Sequence, residues 1–304
     1  MRFVDRASVP VPQSLVAPAG ATATERQSAI DYYGANPPPT KAFGFEQYKH
    51  PDVVEALEKL FGGKCAYCES RYAAMQPMDV EHFRPKGCVA GEKHPGYWWL
   101  ALAWENLLPS CTDCNRCRKQ FIVDLGENGD VVVSNEKENS GKKDAFPISG
   151  KVRACKPSDS LMAEGALLID PTVQDPAQHL QWFMGNLSMP VVVAREVDGV
   201  KDPMAVASIE VYGLNRLRLV QERGTVLEDL ASDFSDLRSD VGLAATAPPG
   251  GLRDALLAQI HLRMQKLRQK SETSRWYSAV AMAYVETAEA ALKVELEGLI
   301  SPAP

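Results

Sequence analysis

Cys65-Ala66-Tyr67-Cys68 and Cys111-Thr112-Asp113-Cys114 are the two stretches that decide the fold of this chain, and 42 residues separate them. Each Cys-x-x-Cys turn directs two sulfurs at one point, and four thiolates are the usual ligands of a closed, tetrahedral zinc site. Two unrelated pairs of buried cysteines are the alternative, but two such turns in one chain favour zinc. We therefore predict a structural Zn²⁺ held by Cys65, Cys68, Cys111 and Cys114.

The other three of the seven cysteines are Cys88, Cys117 and Cys155. An odd number argues against a disulfide framework. Cys117 extends the second pair into a partial imitation of an iron–sulfur run, but a suitably placed fourth cysteine and the usual Cys-Pro ending are missing. We interpret Cys117 as a buried thiol on a helix face.

Composition predicts a globular protein without membrane segments. The 304 residues are 45% hydrophobic and 24% charged, enough for one large core or two modest ones. The N-terminus is charged where a signal peptide needs its apolar run, and no later stretch reaches the length that spans a bilayer. We expect a cytoplasmic protein that does not contact membranes.

Charge is distributed unevenly along the chain. The net charge of −6 is unfavourable for holding a polyanion. Between Lys64 and Lys119, however, eight Lys and Arg stand against six Asp and Glu. The cysteine-rich segment can therefore face nucleic acid, while the acidic remainder can contact a protein.

Four segments are expected. Residues 1–50 contain Asn36-Pro37-Pro38-Pro39 and predict a surface arm. Residues 51–125 begin with an amphipathic helix that Gly62-Gly63 ends, and they continue with a strand at 78–83, a turn at 106–109 and a short helix capped by Thr112 or Asp113. Residues 126–164 indicate a polar loop or weak hairpin. Two apolar stripes predict two helices in a mainly helical region at 165–304 that is suited to partner binding, and a third helix is expected from about 274 to 299.

Between the two cysteine pairs, Glu81-His82 places a carboxylate beside an imidazole. A neutral histidine can take a proton from water, and a carboxylate can hold a divalent cation that neutralises a scissile phosphate. Taken alone, a surface histidine in a charged strand is the simpler interpretation. The cysteine pairs change this balance, because they bring the strand of His82 against the helix of Asn115.

At this point the sequence resembles the HNH (ββα-metal) endonuclease family. The matching residues are Glu81-His82, Asn106 within Trp104-Glu105-Asn106-Leu107, and Asn115 within Cys111-Thr112-Asp113-Cys114-Asn115. The resemblance implies an α+β fold, in which a zinc-supported ββα-metal core is embedded in a mainly helical protein. The last position holds asparagine where the eponymous family residue is histidine.

The resemblance also implies roles for these side chains. His82 is the general base, Glu81 and Asn115 hold one catalytic cation, and Asn106 braces the loop that positions His82. The amide oxygen of Asn115 favours Mg²⁺ or Mn²⁺ over Zn²⁺. A helix cap for Asn115 and a turn residue for Asn106 are the alternatives. Basic residues flanking the site are candidate phosphate contacts or plain solvated charges, namely Arg84, Lys86, Arg116, Arg118 and Lys119.

Later motifs resemble the HNH proteins of Septu-type and retron-associated anti-phage systems. They are His94-Pro95-Gly96-Tyr97, the stretch from Leu168 to Leu180, and Tyr212-Gly213-Leu214-Asn215-Arg216. The resemblance implies a DNA nuclease held by an ABC/SMC-like ATPase. An RNA nuclease, acting on tRNA for example, would use the same parts. A non-catalytic zinc-bearing module that binds nucleic acid is the third possibility.

Overall fold

The computed structural model describes residues 1–72, 77–126 and 128–300, with side chains given as far as residue 295. Several short 3₁₀ turns accompany eight described α-helices. The helices are α1 (Gln13–Val16), α2 (Ala21–Tyr33), α3 (Pro51–Phe61), α4 (Thr112–Asn115), α5 (Pro203–Tyr212), α6 (Leu217–Thr246), α7 (Gly251–Lys270) and α8 (Ser278–Ile300).

Short strands join these helices, and they form small ladders rather than one large sheet. In the described residues the strands are β1 (Asp79–His82), β2 (Leu107–Ser110), β3 (Arg118–Gln120), β4 (Val123–Leu125), β5 (Val131–Val133), β6 (Glu138–Ser140), β7 (Leu180–Phe183), β8 (Val191–Ala194), β9 (Glu196–Val197) and β10 (Val200–Lys201). The fold is therefore mixed α and β, as the sequence predicts.

The chain forms two compact units. Unit 1 comprises residues 1–124, 133–181 and 192–216, and unit 2 comprises residues 125–132, 182–191 and the chain from 217 onward. This division differs from the four segments expected from sequence. The residues expected to form a separate arm include α2 and belong to the same unit as the cysteine pairs.

A hairpin followed by a short helix lies at the centre of unit 1. Strands β1 and β2 are antiparallel, with Glu81 opposite Leu108 and His82 opposite Leu107. Leu107 and Leu108 are fully buried although their side chains point to opposite faces of β2, so both faces of this strand are covered. Helix α4 begins two residues after β2 ends. This short connection holds the side chains of the hairpin and of α4 in fixed positions relative to one another.

Two local predictions in this region are wrong. A turn was expected at 106–109, but residues 107–110 form β2; Pro109 is accommodated in a two-stranded ladder because only one side of the strand needs donors. The N-cap of α4 is Cys111 and not Thr112 or Asp113, and it makes no side-chain capping bond. Helix α3 ends as predicted, with Gly62 in the left-handed region at φ 60°.

Unit 2 contains the three long helices predicted for the C-terminal region. Leu227, Leu230 and Leu237 of α6 are fully buried, and Leu267 of α7 is nearly so. Ion pairs connect neighbouring helices at their polar edges, for example Arg263 with Asp240 and Arg268 with Glu289. None of the helices in the described residues is long and apolar enough to cross a membrane.

Candidate functional site

The four cysteines of the two Cys-x-x-Cys turns meet in the interior of unit 1. Their sulfurs all lie within 4.8 Å of one another, and all four residues are buried. Zinc–sulfur bonds of about 2.3 Å would place tetrahedral sulfurs about 3.8 Å apart. The Cys68 and Cys111 sulfurs are 3.6 Å apart, so this donor set fits a four-thiolate zinc ion. These four cysteines could bind zinc, and only they form such a metal-binding group within the described part of the chain.

The remaining cysteines lie outside this cluster. Cys117 is exposed and follows the end of α4, so its interpretation as a buried helix-face thiol is wrong. Helix α4 is only four residues long, and the chain turns into β3 before the helical face is repeated. Cys88 and Cys155 are also exposed free thiols.

His82 lies at the end of β1 and is 4% exposed. Its Nε2 lies 3.0 Å from the carbonyl oxygen of Ala101, which can only accept, so Nε2 carries the proton. The ring also packs edge-on against Tyr48, with centroids 4.5 Å apart. Burial lowers the pKa of His82 well below 6.5, and the charge of Lys86 acts in the same direction. His82 is therefore neutral, with Nδ1 as its acceptor.

Asn106 holds the chain that follows β1. Its Oδ1 accepts from the Arg84 amide at 2.7 Å, and its Nδ2 donates to the carbonyls of Arg84 and Leu100 at 3.0 and 3.2 Å. The side chain thus joins the residues beyond His82 to the 3₁₀ turn that precedes Ala101. Asn106 itself is only 4% exposed, so its amide serves the backbone and not the solvent.

Glu81 forms an ion pair that the sequence does not reveal. Lys142, 1% exposed, donates to Glu81 Oε1 at 2.7 Å and to the His82 carbonyl at 2.9 Å. Burial raises the pKa of Glu81, while the Lys142 ammonium opposes that rise. Lys142 contacts Oε1 of this carboxylate, and Glu81 also lines the cleft described below. Glu81 can therefore offer one oxygen to a cation, but beside an existing positive charge.

Asn115 lies at the end of α4, within reach of β1. Its Nδ2 donates to Asp79 Oδ2 at 2.9 Å, which orients the amide and leaves Oδ1 as its available acceptor. Arg116 donates to both Asp79 oxygens at 3.1 and 3.2 Å. Carboxylate and amide oxygens are the ligand types that hard divalent cations prefer, and Glu81 and Asn115 supply one of each type.

Some of the residues described above line one cleft of about 1140 Å³ in unit 1. Its walls include Glu81, His82 and Asn115, and they also include residues before α3 that had been assigned to a surface arm. Of the five predicted phosphate contacts, Lys86 and Arg116 line the cleft. Arg84 instead pairs with the buried Glu164, and Arg118 pairs with Asp113. Lys119 is exposed on β3, outside the cleft lining.

Sequence reasoning missed three lysines, Lys49, Lys142 and Lys143. Lys49 and Lys143 line the cleft, whereas Lys142 lies beneath it. Gly141 is the signal that could have identified Lys142 and Lys143, which follow it in the sequence. It has φ 104°, and a Cβ at this position would lie 2.2 Å from the carbonyl oxygen of Arg116. Only glycine fits there, and it lets Lys142 enter the interior while the Lys143 amide binds the Asn115 carbonyl.

Comparison with known proteins gives no match to a family model and none to a solved structure. Curated sequences do match. Septu protein PtuB of Bacillus thuringiensis is 41% identical over 236 residues, which cover 76% of this chain and 67% of that protein. Septu protein PtuB of Bacillus mycoides strain KBAB4 is 34% identical over 193 residues, covering 62% and 55%.

A third relative, Septu protein PtuA of the same Bacillus mycoides strain, is 26% identical over 199 residues. The match covers 63% of this chain but 23% of PtuA. The chain thus spans about half of the Bacillus mycoides PtuB and a quarter of PtuA. The match to the Bacillus thuringiensis protein combines high identity with two thirds coverage, and on that ground the chain belongs to the Septu PtuB family.

Proposed function

We propose that this protein is a metal-dependent endonuclease of the HNH type that hydrolyses phosphodiester bonds in DNA. The observation that carries the proposal is His82, a buried neutral imidazole whose protonated nitrogen is fixed on a carbonyl. Such a histidine can accept a proton through Nδ1 at neutral pH, as a general base must. The hairpin and α4, with the four cysteines beside them, support a ββα-metal core stabilised by zinc.

Each side chain has a defined task in this proposal. His82 takes a proton from the attacking water at Nδ1, while Asn106 keeps the following chain, and so the imidazole, in place. Glu81 and Asn115 supply oxygen ligands, and the Mg²⁺ or Mn²⁺ they hold would neutralise charge on the scissile phosphate. Lys142 orients the Glu81 carboxylate. Its positive charge would also weaken the binding of that cation by Glu81, because like charges repel.

The basic side chains of the cleft bind the phosphate backbone. Lys86 is the best placed, since its Nζ also lies 4.4 Å from the centre of the Tyr48 ring that packs on His82. Arg116 also lines the cleft, but its pairing with the Asp79 carboxylate offsets part of its charge. Contacts of this kind give affinity without sequence choice. Arg84 has a structural task instead, because Glu164 is completely buried.

Membership of the Septu PtuB family supports a biological setting. We place the protein in an anti-phage defence system, with an ABC/SMC-like ATPase as its partner and the long helices of unit 2 available for that contact. The matches to proteins named PtuB and PtuA support the Septu assignment.

The test is cleavage by the full chain with and without its ATPase partner. Wild type, His82→Ala and His179→Ala are incubated with plasmid and with tRNA in Mg²⁺ or Mn²⁺. His179 is the matched control because it binds Asp202 and does not line the cleft. Wild type and the control should cut plasmid, and His82→Ala should be about 10²- to 10⁴-fold slower.

Three results would count against the proposal. If the folded wild type cuts neither substrate with the partner present, the protein is not a nuclease. Equal cleavage by His82→Ala would show that the base is another residue. Cleavage of tRNA alone would replace DNA by RNA as the substrate.

A further inference from the structure

Arg216 is a buried residue that the nuclease chemistry leaves unexplained. It is 4% exposed and lies immediately before α6, at the end of the sequence Tyr212-Gly213-Leu214-Asn215-Arg216. Its guanidinium faces the four-cysteine cluster. Nη1 lies 3.4 Å from the sulfur of Cys114, and Nη2 lies 3.5 and 3.7 Å from those of Cys68 and Cys111. One side chain thus donates toward three of the four proposed zinc ligands.

The rest of the guanidinium is also engaged. Nη1 donates to the Gly213 carbonyl at 3.0 Å, and Nε lies 3.7 Å from the Asp113 carboxylate. These contacts hold the plane of the guanidinium in one orientation. The three N–H···S contacts are therefore a fixed feature of the fold.

Neighbouring residues place Arg216 firmly. Tyr212 stacks on Tyr67, which lies between the two cysteines of the first turn, with ring centroids 3.8 Å apart. Asn215 donates to the Val192 carbonyl and accepts from its amide. Gly213 packs so closely on Ser140 that a Cβ would come within 2.8 Å of its hydroxyl. The whole 212–216 segment thus supports the cluster from a part of the sequence far from either cysteine pair.

A zinc-bound cluster of four thiolates is stabilised by a positively charged hydrogen-bond donor beside it. A zinc ion with four thiolates carries a net charge of −2, and burying that charge without compensation is costly. Arginine stays protonated and offers several N–H donors in one plane. Groups that hydrogen-bond to metal ligands commonly tune affinity about 10- to 100-fold.

We propose that Arg216 is the positioning and charge-compensating residue of the four-cysteine metal centre, where it donates to three sulfurs and slows release of the metal. This inference rests on the zinc site of the proposed function, but it does not depend on nuclease activity.

The test follows the metal itself. Full-length wild type, Arg216→Gln and Arg216→Lys are purified, their zinc content is measured, and zinc release to a chromogenic chelator is timed. Arg218→Gln is the matched control, since Arg218 is exposed two residues away and binds Gln221. Arg216→Gln should release zinc about 10-fold faster or more, Arg216→Lys by a smaller factor, and the control at the wild-type rate.

Cobalt substitution supplies a readout that a purely structural role would leave unchanged. Loss of N–H···S hydrogen bonds makes the sulfurs better electron donors, so the sulfur-to-Co²⁺ charge-transfer band should move to longer wavelength in Arg216→Gln. If that variant does not fold, Arg216→Lys is compared with wild type in the same way. An unchanged band and an unchanged release rate in a folded Arg216 variant would overturn the inference.

The zinc measurement keeps the two proposals distinguishable. Wild-type protein without zinc would refute both the metal centre and this inference, whatever its cleavage activity. A wild type that holds zinc, with faster release from Arg216→Gln and no cleavage of any nucleic acid, would support this inference and refute the nuclease.

Discussion

The four-cysteine cluster and the Glu81–His82 cleft are supported by the same hairpin but are built in opposite ways. In the cluster, four sulfurs converge in the buried interior and Arg216 donates to three of them. In the cleft, the polar atoms face an open space of about 1140 Å³, and Lys142 already neutralises the carboxylate. One centre is closed, and the other retains room for solvent and substrate.

Under the proposed function, this difference lets one small hairpin serve two metals. A closed set of thiolates retains its ion and contributes to folding, whereas a catalytic position needs exchangeable ligands. In that proposal, the buried Lys142 beside Glu81 makes the carboxylate a weaker cation ligand than the closed cysteine cluster. Four predictions test the comparison, beginning with the largest expected effect.

Removing one cluster sulfur should have the greatest consequence. We expect Cys68→Ser to release zinc and unfold the hairpin region of unit 1, because folding and metal binding are coupled at about 10 kcal/mol in small zinc domains. Cys155→Ser, which alters an exposed thiol, should leave stability unchanged. Elemental analysis and thermal unfolding measure both. A Cys68→Ser protein that melts like wild type would show that the cluster is not structural.

Breaking the Lys142–Glu81 pair should be the next largest effect. Both side chains are buried, so Lys142→Met leaves an uncompensated carboxylate and should cost about 3–5 kcal/mol of unfolding free energy. The double variant Glu81→Gln with Lys142→Met should recover part of this loss. Urea unfolding of wild type, of the single variants Glu81→Gln and Lys142→Met, and of the double variant gives the coupling energy. If the losses of unfolding free energy in the two single variants add up in the double variant, the Lys142–Glu81 pair has no coupling energy.

Substituting single cleft lysines should have a moderate effect on binding and none on folding. Lys86→Gln removes one phosphate contact, so affinity for DNA should fall about 5-fold near 0.15 M salt, and the log–log salt slope by about 0.9. Lys119→Gln is the control, because Lys119 is exposed outside the cleft lining. Fluorescence anisotropy at several salt concentrations measures both. If both variants lose the same affinity for DNA, the binding surface is not confined to the cleft and includes β3.

The smallest effect is that of mildly acidic pH on His82. Because burial holds the pKa of His82 well below 6.5, the folded ring stays neutral while an unfolded chain would bind a proton. Stability from this residue is therefore full above about pH 6.5 and declines as pH falls toward the folded pKa. NMR titration of the imidazole without added divalent ions should show no protonation at pH 6. A midpoint near 6.5 would contradict the buried, neutral histidine.

Local spacing carried the predictions that the structure confirms. The apolar stripes predicted α3, α6 and α7 because a helix repeats every 3.6 residues. The two Cys-x-x-Cys turns indicated one cluster because each turn fixes its own pair of sulfurs. By contrast, the turn expected at 106–109 and the buried Cys117 were wrong, since burial and pairing with β1 depend on distant residues.

The candidate site shows the same division. Glu81, His82, Asn106 and Asn115 were selected from sequence, and the structure gathers Glu81, His82 and Asn115 along one cleft, with Asn106 buried behind it. Their catalytic roles stay predictions. Two of the five predicted phosphate contacts line the cleft, because the sequence shows charge but not the direction in which a strand presents it.

The sequence by itself determined the two Cys-x-x-Cys pairs, the adjacent Glu81-His82 pair and the long helices of unit 2, because each depends on residues a few positions apart. Tertiary structure alone decided the partners. Lys142 reaches Glu81 across 61 positions of sequence, and Arg216 reaches the sulfur of Cys68 across 148. A buried charge is stable only beside a specific partner, and no local pattern encodes which distant residue supplies it.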